Sequence, residues 1–282
     1  MYENFNYQIS YKFSRIMHRY CGICEEQKRV IGMEFVPTAD DGAFFAESGE
    51  YIAKFDNDDD YTNDLEDYAK THKRFRLSAE NGEIWAQVGL GYLYEKGFGT
   101  EPDYDEALKW FRLAADQGDS LAHGNLGYMY EHGYGVEQSY VEAMKWYGLS
   151  AGLGNKPAQN SIGILYYYGL GVSQDYSEAA KWFQIAADGE DFTLALVNLG
   201  YMYEHGYGVK QNFRKAVELY RKAAVQADYY GQYCLGHMYE QGKGVKQSHS
   251  EAEKCYHSAK GGCRLFERGK RASKQAPDWY RG

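Results

Sequence analysis

The chain has 282 residues, with 29 Tyr and 32 Gly but only 4 Pro, and its 31 basic residues against 40 acidic ones give a formal charge of −9. An aromatic share of 17% supplies too much burial for a disordered chain, and the scarcity of Pro with no Gly-X-Y period excludes collagen. No run approaches the roughly 20 apolar residues of a membrane span, and an acidic chain lacks the basic surface that phosphates require, so neither membrane insertion nor nucleic-acid binding is expected.

The start, Met1 to Tyr7, has neither a basic n-region nor an apolar h-region, so no secretory signal is expected. Between Ser10 and Lys28, Phe13, Ile16, Met17, Tyr20 and Cys24 fall at helical spacing. Residues 30–36, from Val30 to Val36, read as a strand or extended segment. His18, Cys21 and Cys24 form His-x2-Cys-x2-Cys, which could hold half a zinc site. No second pair follows nearby, so neither a metal nor any other cofactor is expected. The remaining cysteines are Cys234, Cys255 and Cys263; an odd count with irregular spacing fits reduced thiols in the cytoplasm. Residues 1–62 hold six basic residues against twelve acidic ones. Asp56, Asp58, Asp60, Asp64 and Asp67 have EF-hand-like offsets, but Tyr61 replaces the required Gly, so a solvated acidic linker is expected.

From there a repeat of about 36 residues takes over. The string Gly-Tyr-Met-Tyr-Glu-His-Gly-Tyr-Gly-Val occurs at 127–136 and again at 200–209. Leu90-Gly91, Leu126-Gly127, Ile162-Gly163, Leu199-Gly200 and Leu235-Gly236 mark five copies, each with a Tyr three residues later and a Gly-x-Gly beyond it. Each copy predicts two helices. The first carries Ala122, Leu126, Gly127 and Tyr130 or their equivalents on one face, its mid-helix Gly marking a close approach. Gly-x-Gly reverses the chain. The second helix opens after Asp103, Ser139, Asp175, Asn212 or Ser248 and continues with Ala107, Trp110, Phe111 and Ala114 or their equivalents. Lys73 to Gly82 lies 36 residues before Lys109 to Gly118, so residues 64–80 predict a lone second helix ahead of the array. The chain thus divides into a non-repeat region at 1–62, the repeats at 63–263 and a basic tail at 264–282. No His-Glu-x-x-His, Rossmann or P-loop pattern is present, so no enzyme is expected.

The motif Leu-Gly-x-x-Tyr-x-x-Gly-x-Gly-Val with its following helix resembles the Sel1-like repeat family, a relative of the tetratricopeptide repeats, over residues 83–263. The resemblance implies an all-α, α/α superhelical solenoid of five repeats and a half repeat. It also implies an adaptor that binds a partner protein or peptide. In the related array the first helices line the concave side. Carried onto this sequence, that side takes Trp85, Tyr92 and Glu95, then Tyr128, Glu131 and His132, then Tyr167 and Tyr168. It continues with Tyr201, Glu204 and His205, then Tyr233 and His237. Such a groove, rich in Tyr and carrying a ladder of Glu, suits a basic or amine-bearing segment. A cytoplasmic immunity-type protein gripping a toxin is a narrower form of the same reading. A metal-binding or enzymatic role for residues 1–62 is the alternative from a different class.

Overall fold

The computed structural model describes residues 43–45, 51–54, 64–97, 101–189 and 192–261. The expected helix over 10–28, the extended segment over 30–36 and the basic tail lie outside the described residues.

Two short strands, β1 (Ala43–Phe45) and β2 (Tyr51–Lys54), pair antiparallel with Ala43 opposite Lys54 and an irregularity between Phe44 and Phe45. This pair, in the non-repeat region, is an addition to the all-α reading. Every other described element is a helix. A first helix α1 (Asp64–Glu80) precedes α2 (Ile84–Lys96), α3 (Tyr104–Ala115), α4 (Ser120–His132), α5 (Tyr140–Gly152) and α6 (Lys156–Tyr168). Beyond Asp175 come α7 (Tyr176–Ala186), α8 (Thr193–His205), α9 (Phe213–Val225), α10 (Tyr229–Gln241) and α11 (His249–Gly261). The helices gather into two compact units, one ending at Gln174 and the other beginning at Asp175. In the first, α1 packs on α2, and α2 to α6 pack in succession; in the second, α7 to α11 do the same.

The boundaries follow from side-chain chemistry. Asp103, Ser139 and Asn212 accept from the backbone N–H three residues on, at 3.0, 3.3 and 3.1 Å. Asp119, Asn155 and Asp228 cap first helices in the same way at 2.7, 2.9 and 2.7 Å. Each such cap contributes about 1 kcal/mol. First helices end at a Gly in the left-handed region, as at Gly133 with φ 70°, which an L side chain adopts only with strain. A clamp the sequence did not disclose then ties the turn down. The side-chain amides of Gln138, Gln174, Gln211 and Gln247 donate to the carbonyls of Glu131, Tyr167, Glu204 and Glu240 at 2.8, 2.8, 2.9 and 2.9 Å.

The core of each repeat is a ring against a glycine. A Cβ on Gly127 would stand 2.6 Å from the Tyr147 ring, and one on Gly91 2.6 Å from Phe111. The recurrent mid-helix Gly therefore admits the aromatic of the following helix. Phe111 and Tyr220 are fully buried, and such burial stabilises by about 1.5–3 kcal/mol per side chain. Ser150 takes a core Ala position and stays buried because its hydroxyl donates to the Ser120 carbonyl at 2.7 Å. The Tyr expected in the core at every copy is buried only at Tyr94; Tyr130, Tyr166, Tyr203 and Tyr239 are half-buried. At three of these rings a basic side chain donates to the hydroxyl: Arg76 to Tyr94, Lys215 to Tyr203 at 2.8 Å and Arg221 to Tyr239 at 3.3 Å.

Candidate functional site

In the unit that ends at Gln174, Tyr128 and His132 sit one turn apart on α4. The His132 Nδ1–H donates to the Tyr128 carbonyl at 2.8 Å, and the two rings meet with centroids 4.1 Å apart. Tyr134, from the turn that follows, stacks beside His132 at 5.5 Å. Tyr104, at the start of α3, lies parallel to Tyr134 at 4.6 Å. All four rings are half-buried. Lys96 places its ammonium 5.4 Å from the rings of both Tyr92 and Tyr128, within cation–π reach. Tyr167 and Tyr168 close α6 edge to face at 4.9 Å. Trp85 stands apart from this group, edge-on to Phe75 at 5.6 Å and 37% exposed.

The unit that begins at Asp175 builds the same cluster again. His205 binds the Tyr201 carbonyl at 3.0 Å with rings 4.0 Å apart; Tyr207 stacks on His205 at 5.6 Å, and Tyr176 on Tyr207 at 5.0 Å. On α10, Tyr233 lies 6.4 Å from Tyr229 and 5.6 Å from Tyr256. Burial pushes the Tyr233 hydroxyl up to about 12. His237 bonds Gln241 at 2.9 Å; burial lowers its pKa, while Glu204 and Glu240 oppose the shift.

The Glu ladder is shared with the core. The hydroxyl of Tyr147 donates to Glu131 Oε2 at 2.5 Å, that of Tyr220 to Glu204 Oε2 at 2.8 Å and that of Tyr256 to Glu240 Oε2 at 2.8 Å. Burial first, and then the neighbouring carboxylate, hold the Tyr147 hydroxyl far above its usual range. Glu95 and Glu204 are themselves buried, whereas Glu131 is half-buried. Glu95 faces the register position of Phe111, which has no hydroxyl, and it pairs with Lys96 instead. Burial raises its pKa and Lys96 pulls it back.

The structure thus joins Tyr92 to Tyr128 through Lys96, and Tyr128 to His132; separately, it joins Tyr201 to His205. It adds Tyr104, Tyr134, Tyr176 and Tyr207, which the sequence reading passed over. Their signal was present: Tyr134 and Tyr207 belong to the ten-residue string that occurs twice unchanged. His18, Cys21 and Cys24 lie outside the described residues. Among the described residues, no group of three or more His, Cys, Asp or Glu is arranged to hold a metal, and no helix is long and apolar enough to cross a membrane.

Comparison with known proteins places these features in a family. The Sel1 repeat matches at residues 86–119, 120–155, 156–191, 193–228 and 230–260, more than half of the chain. A Sel1 repeat protein from Oxalobacter formigenes is 30% identical, with a TM-score of 0.64 over 71% of this chain and 79% of its own. A protective antigen of uropathogenic Escherichia coli with the same repeat fold is 31% identical, with a TM-score of 0.62 over 75% of this chain. The alignment spans only 45% of that antigen's length. An immunity protein from Pseudomonas aeruginosa shares the fold at 21% identity, with a TM-score of 0.50 over 68% of this chain and 73% of its own. The chain has no match among curated proteins.

Proposed function

This chain belongs to the Sel1 repeat family, and on that premise we propose that it is a non-catalytic scaffold that binds a partner protein or peptide on the aromatic face of its first helices. Sel1 repeats generally mediate protein–protein interaction and are generally not enzymes. The observation that carries the reading is the Tyr–His–Tyr cluster, built twice from the same string and left half-buried in both units apart from the exposed His205. Tyr and His offer large contact area with polar tips at low entropic cost, which favours them at interfaces. The charge of −9 favours a basic partner segment. A cytoplasmic immunity-type role, neutralising a basic toxin, is the narrower form of this reading. Cytoplasmic residence is supported by Cys234 and Cys255, which among the described residues form no disulfide.

Affinity capture from native lysate with mass spectrometry identifies the partner, and the double variant Tyr128→Ala, Tyr201→Ala tests the face. Capture should fall by roughly tenfold or more, the loss expected for two aromatic anchors. The helical circular dichroism should remain that of the parent. Undiminished capture by the folded double variant overturns the proposal.

A further inference from the structure

In most repeats the carboxylate near the end of the first helix and the hydroxyl on the second come together. Glu131 has Tyr147, Glu204 has Tyr220 and Glu240 has Tyr256. The third copy carries Tyr167 and Phe183 and so has neither. The first copy keeps the carboxylate and drops the hydroxyl, with Glu95 in register with Phe111.

The omission leaves two buried polar atoms without hydrogen bonds. Glu95 is 4% exposed; Lys96 holds its Oε1, and among the described residues its Oε2 has no hydrogen-bond partner. Asn125 is the register equivalent of Ser161, which hydrogen-bonds Tyr147, and of Cys234, which hydrogen-bonds Tyr220. It is 3% exposed, and its Nδ2 also lacks a partner. A buried carboxylate held at one oxygen only is under-satisfied and favours a cation that reaches both. The Lys96 ammonium lies 5.4 Å from the rings of both Tyr92 and Tyr128, and its side chain is 24% exposed, so solvent reaches the carboxylate's cation.

We propose that Glu95, Tyr92 and Tyr128 form a seat for an arginine side chain of the partner, with Lys96 as the chain's own placeholder that the arginine displaces. The inference rests on the partner-binding reading above and names its anchoring point. A guanidinium suits the seat better than the ammonium now in it. Its fork reaches both carboxylate oxygens where Lys96 holds one, and its plane stacks on tyrosine rings. The exchange conserves charge at the site, since one cation replaces another and Lys96 passes into water.

The test titrates the full chain with N-acetyl-argininamide and with N-acetyl-lysinamide, followed by NMR shifts of the Glu95 and Lys96 signals. The arginine derivative should bind roughly tenfold more tightly than the lysine derivative, as bidentate pairing predicts. Glu95→Gln should abolish that preference. Phe111→Tyr, which gives Oε2 the hydroxyl donor found in the other copies, should weaken arginine binding severalfold in a chain that melts no lower than the parent. Equal binding of the two amides, or a Phe111→Tyr chain that binds arginine like the parent, overturns the seat. In either case, loss of partner capture by Tyr128→Ala, Tyr201→Ala leaves the broader reading standing, and undiminished capture removes that reading by itself.

Discussion

The first and second repeats are nearly the same object. Both seat a ring of the second helix on a mid-helix glycine, at 2.6 Å from the notional Cβ of Gly91 and of Gly127. Both open the second helix at a capping residue, Asp103 or Ser139, whose N–H also donates to the carbonyl of Tyr94 or Tyr130 at 2.9 Å. At the ring that the glycine admits they differ by one oxygen atom, present on Tyr147 and missing from Phe111. Where it is present, Glu131 accepts from the core at 2.5 Å. Where it is missing, Glu95 has an oxygen with no hydrogen bond and draws on Lys96. A carboxylate at one register position is thus a structural acceptor in one copy and a cation site in the next.

The largest effect should come from the feature the two repeats share. The Tyr147 ring is fixed by its bonds to Glu131 and Ser161, so it cannot give way to a methyl group on Gly127. Gly127→Ala should cost about 3 kcal/mol, the upper part of the range for overpacking. Gly148, on exposed α5 surface, has nothing within 4 Å of its notional Cβ. Gly148→Ala should therefore stabilise by up to about 1 kcal/mol through helix propensity alone. Denaturant midpoints with unchanged slopes distinguish the two. A Gly127→Ala cost no greater than that of an ordinary surface change would mean that the ring does not need the glycine.

A smaller effect should follow from making the second repeat resemble the first. Tyr147→Phe removes the hydroxyl from Glu131 and from Ser161 while leaving the ring in place. The cost should be about 1–2 kcal/mol, because Glu131 is half-buried and water compensates in part. The same chemical denaturation measures it. A variant as stable as the parent would show that solvent replaces the hydroxyl fully, and the contrast between the two repeats would then carry no energy.

The repeats were legible in the sequence because their determinants are local and recur five times. The glycine turns, the capping residues and the isolated α1 all follow from spacing. The site was legible only in part. Tyr128 and Tyr201 read as surface because they lie off the core stripe, and the structure leaves them half-buried. Glu95 and Glu204 read as surface for the same reason and are buried, and whether such a carboxylate meets a hydroxyl depends on the residue sixteen positions on, Phe111 or Tyr220. Helical periodicity along one helix carries no information about a hydroxyl arriving from the next. The pairing could have been found by reading positions 95 and 111 together down the copies. The antiparallel pair of β1 and β2 was missed because strands of three and four residues hold too few alternations to register.

The smallest effect sharpens the comparison from the other side. Phe111→Tyr should supply a donor to Glu95 and an acceptor to Asn125 in a register position where a tyrosine ring already fits in other copies. Relieving two buried groups at once should stabilise the fold by about 1 kcal/mol at neutral pH. Its pH dependence has a definite sign. Burial raises the Glu95 pKa in the folded chain, so the parent's contribution from this group is present below the unfolded carboxyl pKa and is lost as pH rises through the folded one. A hydroxyl donating to the carboxylate favours its charged form and lowers the folded pKa, which shrinks that loss. The stability gain of the variant over the parent should accordingly be larger at neutral pH than near about pH 3, where the carboxyl is protonated in folded and unfolded chains alike. Thermal melts of both proteins across that interval measure it. A gain that is flat with pH would place the benefit in packing and not in the carboxylate, and a destabilised variant would mean that the first repeat has closed around the missing oxygen.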